Sequence, residues 1–103
     1  MKNEKSFTDE NREQHGSSSS TEIPMVVDRA LTLIERGFYE EADLLVSAEL
    51  LFSTKDAQLW FVAGLTRFQK GNVRTARSAF KMCAWLSGNA FAHEMAKELG
   101  HII

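Results

Sequence analysis

The chain has 103 residues, enough for one small domain, and its 44% hydrophobic and 25% charged composition is that of a globular protein rather than a low-complexity polymer. A net charge of -2 argues against a general nucleic-acid binder. Cys83 is the one cysteine, which excludes an internal disulfide and a Cys-x-x-Cys metal or redox motif.

Residues 1–22 read as a disordered polar arm. Only Met1 and Phe7 are apolar in its first 20 residues, which end in "SSSS". Such a segment cannot bury enough surface to offset its ordering entropy. It is either a solubilising tail or a docking segment. It has no apolar core of a secretory signal, and no apolar run in the chain approaches the ~20 residues that span a bilayer. A cytoplasmic protein without membrane insertion is expected.

Order is expected from "STEIPM" onward, with Ser20 or Thr21 as a helix cap and Pro24 in the first turn. From there apolar residues recur at helical spacing. Val26, Val27, Ala30, Leu31, Leu33 and Ile34 form a first stripe, ending at Gly37. Ala42, Leu45, Val46, Ala48, Leu50 and Phe52 form a second. Leu59, Trp60, Ala63, Gly64 and Phe68 form a third, stopped by Lys70-Gly71. Ala76, Ala79, Phe80, Cys83, Ala84 and Leu86 form a fourth, stopped by "SGN". Phe91, Met95 and Leu99 mark a fifth. With no polar–apolar alternation and no Asn-Gly hairpin, the fold class is all-α: five helices with short connections.

Two of the turns repeat. "GFYEEA" begins at Gly37 and "GNVRTA" at Gly71, 34 residues later. At the same offset Ala30 meets Gly64, Ala42 meets Ala76, Val46 meets Phe80 and Phe52 meets Leu86. A helix-turn-helix pattern of this period resembles the tetratricopeptide repeat. The unit from Ala57 to Ala90 carries the likeness most fully, with Trp60, Gly64, Gly71, Ala76 and Phe80 at the family's aromatic, small, turn, crossing and large core positions. It departs at Arg67, where an aromatic is usual, and at Gly88, where proline is usual. The unit from Ile23 to Asp56 keeps Ala30, Gly37, Tyr39, Ala42 and Phe52 but has Val26 for the tryptophan and Glu49 for a small residue. The resemblance divides the domain into repeat one at 23–56, repeat two at 57–90 and a capping helix at 91–103.

The resemblance implies that the first helix of each repeat lines a concave face. The family's groove positions fall on Val27, Leu31, Ile34 and Glu35, and on Phe61, Leu65, Phe68 and Gln69; six of these eight are apolar. A partner-binding groove of Val27, Leu31, Ile34, Phe61, Leu65 and Phe68 is expected, suited to an amphipathic helix. The opposing expectation is that the cap helix or self-association covers Phe61 and Phe68. Relatives that clamp a chaperone's carboxylate tail need Lys, Arg and Asn there, and Val27, Leu31, Phe61, Val62 and Leu65 do not supply them.

No catalytic, cofactor or metal site is expected. His93 and His101 are eight apart rather than four, and Cys83 falls on a core position with no base beside it in sequence. Residues 24–56 carry seven acids and three bases, a balance of -4, and residues 57–103 two acids and six bases, +4. The basic set Arg67, Lys70, Arg74, Arg77 and Lys81 around the second turn is either a solvated face or a surface for an acidic partner. In size and architecture the chain resembles the small bacterial type III secretion chaperones of the needle-subunit type. That resemblance implies a cytoplasmic chaperone that covers the amphipathic helix of a secreted, polymerising subunit, assisted by a second small helical co-chaperone. A generic adaptor or a self-associating structural protein are the alternatives.

Overall fold

The computed structural model of the protein describes residues 19–102, and the expected arm up to residue 18 lies outside the described residues. Five helices follow one another: α1 Ser19–Glu35, α2 Tyr39–Leu50, α3 Ala57–Gln69, α4 Val73–Ser87 and α5 Ala90–Ile102. No strand occurs among the described residues. The fold is all-α, two helix-turn-helix repeats closed by a fifth helix. Each helix packs on the next, α4 most extensively on α3 and then α5, and α1 also reaches α3.

The two repeated turns are the same structure. Gly37 and Gly71 have φ of 83° and 85°, a left-handed conformation that costs any residue with a Cβ. The amide of Phe38 donates to the Leu33 carbonyl at 2.8 Å, and the amide of Asn72 donates to the Arg67 carbonyl at 2.8 Å. Ala42 and Ala76 then donate to the Phe38 and Asn72 carbonyls at 3.1 and 2.9 Å. One hydrogen-bond programme of helix termination and restart is written twice.

Small residues bring the helices together. Ala30, Ala42, Ala63, Ala76 and Ala79 are fully buried. Val27, Val46, Leu50, Leu59 and Val62 join four of these alanines in a first core, to which α4 contributes Ala79. Phe80, Cys83, Ala92, Ala96 and Leu99 form a second around α4 and α5. Trp60 packs against both cores and donates its indole N–H to the Thr54 carbonyl at 2.7 Å. Full burial of a residue such as Phe80 or Leu59 contributes about 1.5–3 kcal/mol.

Three expectations are corrected. Helix α1 begins at Ser19, so Pro24 sits in its second turn and not its first; its missing N–H removes only one backbone bond. The helix also takes in residues 19–22, which had been assigned to the arm. Phe52 is not an inward position of the second helix. That helix ends at Leu50, and Phe52 lies in the turn beyond it, 85% exposed.

The fifth helix breaks the period. The starts of α3 and α5 are 33 residues apart, one short of the repeat. Asp56 and Asn89 open them alike, their side chains accepting the amides of Leu59 at 3.0 Å and Ala92 at 2.8 Å. In this register buried Ala63 matches buried Ala96, but Gly64 matches exposed Lys97.

Candidate partner-binding face

The six expected groove residues do not share one environment. Val27 is corrected to the core: it is 4% exposed and packed into the first cluster. Ile34 is half-buried against the same cluster, and Phe61 and Leu65 are half-buried against the second. Leu31 and Phe68 are the open members, 39% and 40% exposed. The helical period explains the split. Positions 27, 30 and 34 point α1 at its neighbours, and Leu31 lies at the edge of that stripe.

Phe61 stands between two other rings. Its centroid is 6.0 Å from Phe80 at an interplanar angle of 73° and 5.7 Å from Phe91 at 59°, separations at which aromatic pairs attract. The closing helix therefore partly covers Phe61, as the covering alternative expected, while Phe68 stays open. Phe91, itself 54% exposed, extends the apolar face to α5. Its spacing in the sequence marked only a helix, and no periodic signal pairs it with Phe61.

Two open clefts, of about 740 Å³ between α1 and α2 and about 460 Å³ between α4 and α5, are both lined by other residues. The first is walled by Met25, Val26, Thr32 and Leu45 with Asp28, Arg29 and Glu49. The second is walled by Arg77, Lys81, Ala84, Trp85, His93, Ala96 and Lys97.

The basic set at the second turn divides by role. Arg67 and Lys70 are used inside the fold: Lys70 Nζ lies 2.7 Å from Asp43 and 3.1 Å from Glu40, and Arg67 Nε lies 3.5 Å from Asp43. Arg67 also donates to Ser47 at 3.3 Å, and Ser47 donates to Asp43 at 3.1 Å. The cluster ties α2 to α3 across the repeat boundary. Burial pushes the Asp43 carboxyl up, but the hydrogen bond and charge of Lys70, with Ser47 and Arg67, hold it below its ordinary value of 3.8. Hydrogen bonds to Asp43 and Glu40 raise Lys70 above 10.5. Arg77 donates to the Ala96 carbonyl at 3.3 Å, across to α5. Arg74 and Lys81 are exposed.

His93 and His101 are exposed, and no group of three or more metal-ligating side chains occurs among the described residues. Cys83 is buried, and burial raises its thiol pKa, partly offset by Ser87. No helix among the described residues is long and apolar enough to cross a membrane. Compared with known protein families, curated proteins and solved structures, the chain shows no match.

Proposed function

We propose that the chain is a helix-binding protein of tetratricopeptide-like build, whose ligand lies on the face shared by α1, α3 and the start of α5. One observation carries this reading: Leu31 and Phe68, on the first helices of the two repeats, and Phe91 on the cap remain 39%, 40% and 54% exposed. These residues sit beside the half-buried Ile34, Phe61 and Leu65, so the apolar surface extends past what the domain fills itself. An exposed apolar strip of this kind accepts the apolar side of an amphipathic helix, with side chains rather than backbone giving the contact.

In its concrete form the protein is a chaperone of the small secretion-chaperone kind. It covers the polymerising helix of an export subunit before export, and a second small helical protein supports it. The uncovered apolar strip and the lack of groove cations on α1 and α3 favour a greasy helix over a carboxylate tail. Affinity capture from native cells, followed by mass spectrometry, tests the reading. A small helical subunit at fixed stoichiometry, lost on Phe68→Asp, supports it. A folded multisubunit assembly, retained by that variant, replaces it with an adaptor.

A further inference from the structure

The second helices of the two repeats carry opposite charges. Helix α2 holds Glu40, Glu41, Asp43 and Glu49 and no base; α4 holds Arg74, Arg77 and Lys81 and no acid. At the 34-residue offset Glu40 matches Arg74, Asp43 matches Arg77 and Leu51 matches Trp85. Asp43 is spent on Arg67 and Lys70, but Glu41 is exposed and has no ion pair among the described residues. The same holds for Lys81 and Lys97.

Each face also has unfilled apolar surface. On α2 and its capping residue Leu51, which keeps helical backbone angles, positions 41, 44, 48 and 51 follow the spacing of one helical stripe, with Leu44 66% and Leu51 77% exposed. The turn beyond adds Phe52. On α4, Trp85 is 78% exposed at the mouth of the cleft shared with α5, whose lining contains four basic or imidazole side chains and no carboxylate. A leucine-bearing stripe headed by Glu41 and a basic cleft lined in part by a tryptophan are complementary.

We propose that two copies of this chain associate about a two-fold axis, the α2 stripe of each seated on the α4–α5 cleft of the other. Antiparallel pairing sets Glu41 of each copy on the basic cleft of its partner, twice, and closes the assembly at two. Glu41 faces Lys81 across the interface, and Leu44 and Leu51 cover Trp85. The interface leaves Leu31, Phe68 and Phe91 free, so it is separate from the proposed helix-binding face.

Sedimentation equilibrium of the full chain at low salt tests this. A dimer is expected, weakened roughly ten-fold or more as ionic strength rises from about 0.05 to 0.5 M, because exposed charges are screened. Glu41→Lys and Lys81→Glu each place like charges across both contacts and are expected to leave monomers. Mixing these two variants, or combining them in one chain, restores opposite charges at both contacts and is expected to restore the dimer. Circular dichroism confirms that each variant keeps its helix content. A monomeric wild-type chain overturns the proposal, as does a dimer indifferent to both variants. Failure of the mixed and combined variants to recover the dimer also overturns it, and none of these results bears on Phe68-dependent capture.

Discussion

Gly64 lies against the ring of Phe80 so closely that a Cβ on the glycine would stand 2.7 Å from the ring. The contact sets the spacing of α3 and α4, and Phe80 itself is fully buried. Alanine at 64 gains about 1 kcal/mol of helix propensity, but it must displace a ring held on all sides, at about 1–3 kcal/mol. Gly64→Ala is expected to destabilise the fold by about 1 kcal/mol. Pairing it with Phe80→Leu should cost less than the two single changes added together, because the smaller side chain makes room. Denaturant melts of the four proteins measure that coupling, and strict additivity would remove Phe80 as the cause.

The repeated turns allow a paired test. Gly37 and Gly71 have the same positive φ, and nothing lies within 4 Å of a Cβ added to either. Backbone strain is then the whole effect, about 1–2 kcal/mol for an L side chain in that region. Gly37→Ala and Gly71→Ala are expected to lower stability by similar amounts, read from their denaturation midpoints. A large difference between them would show that the turns do different things despite their matching bonds.

Much of the fold was legible because it rests on residues that few others can replace. Gly37, Gly71, Ala42, Ala76 and Gly64 each answer a backbone or crossing constraint, so their 34-residue spacing could be read directly. The groove was harder. Val27, Leu31 and Ile34 lie on overlapping helical angles, and only the position of α3 decides that Val27 is core while Leu31 stays open. Phe52 looked periodic because a helical pattern does not reveal where the helix stops. The Asp43–Lys70 pair spans 27 residues, and nothing local marks either residue as a partner. The aromatic contact of Phe61 with Phe91 joins repeat two to the closing helix and was invisible for the same reason.

That ion cluster gives the stability a pH signature. The Asp43 carboxyl is held below 3.8 in the fold, so its contribution is present above that value and is lost as pH falls through the lowered one. Lys70 is raised above 10.5, so its contribution is present below 10.5 and is lost only as pH rises through the raised value. Asp43→Asn is expected to cost about 1 kcal/mol at neutral pH, as for a hydrogen-bonded, partly exposed ion pair. The gap between the melting temperatures of the two proteins should close as the pH drops below 3.8, where the wild-type carboxyl takes up its proton. A gap that persists unchanged in acid would assign the effect to packing instead of charge.

Phe61 and Phe68 sit seven residues apart on α3 and should separate folding from binding. Phe61 touches both Phe80 and Phe91, so Phe61→Asp puts a carboxylate against two rings and the second core. A loss of several kcal/mol is expected, enough to unfold much of a small domain. Phe68 is 40% exposed, so Phe68→Asp should change stability little while removing an apolar anchor worth about 2 kcal/mol in binding. Leu31→Asp, on α1, should behave like Phe68→Asp. Thermal melts by circular dichroism, run beside capture of the helical partner, distinguish the two classes. If Phe68→Asp unfolds the chain, the strip is core and no helix binds there. If it folds and still captures its partner at full strength, the ligand lies elsewhere on the molecule.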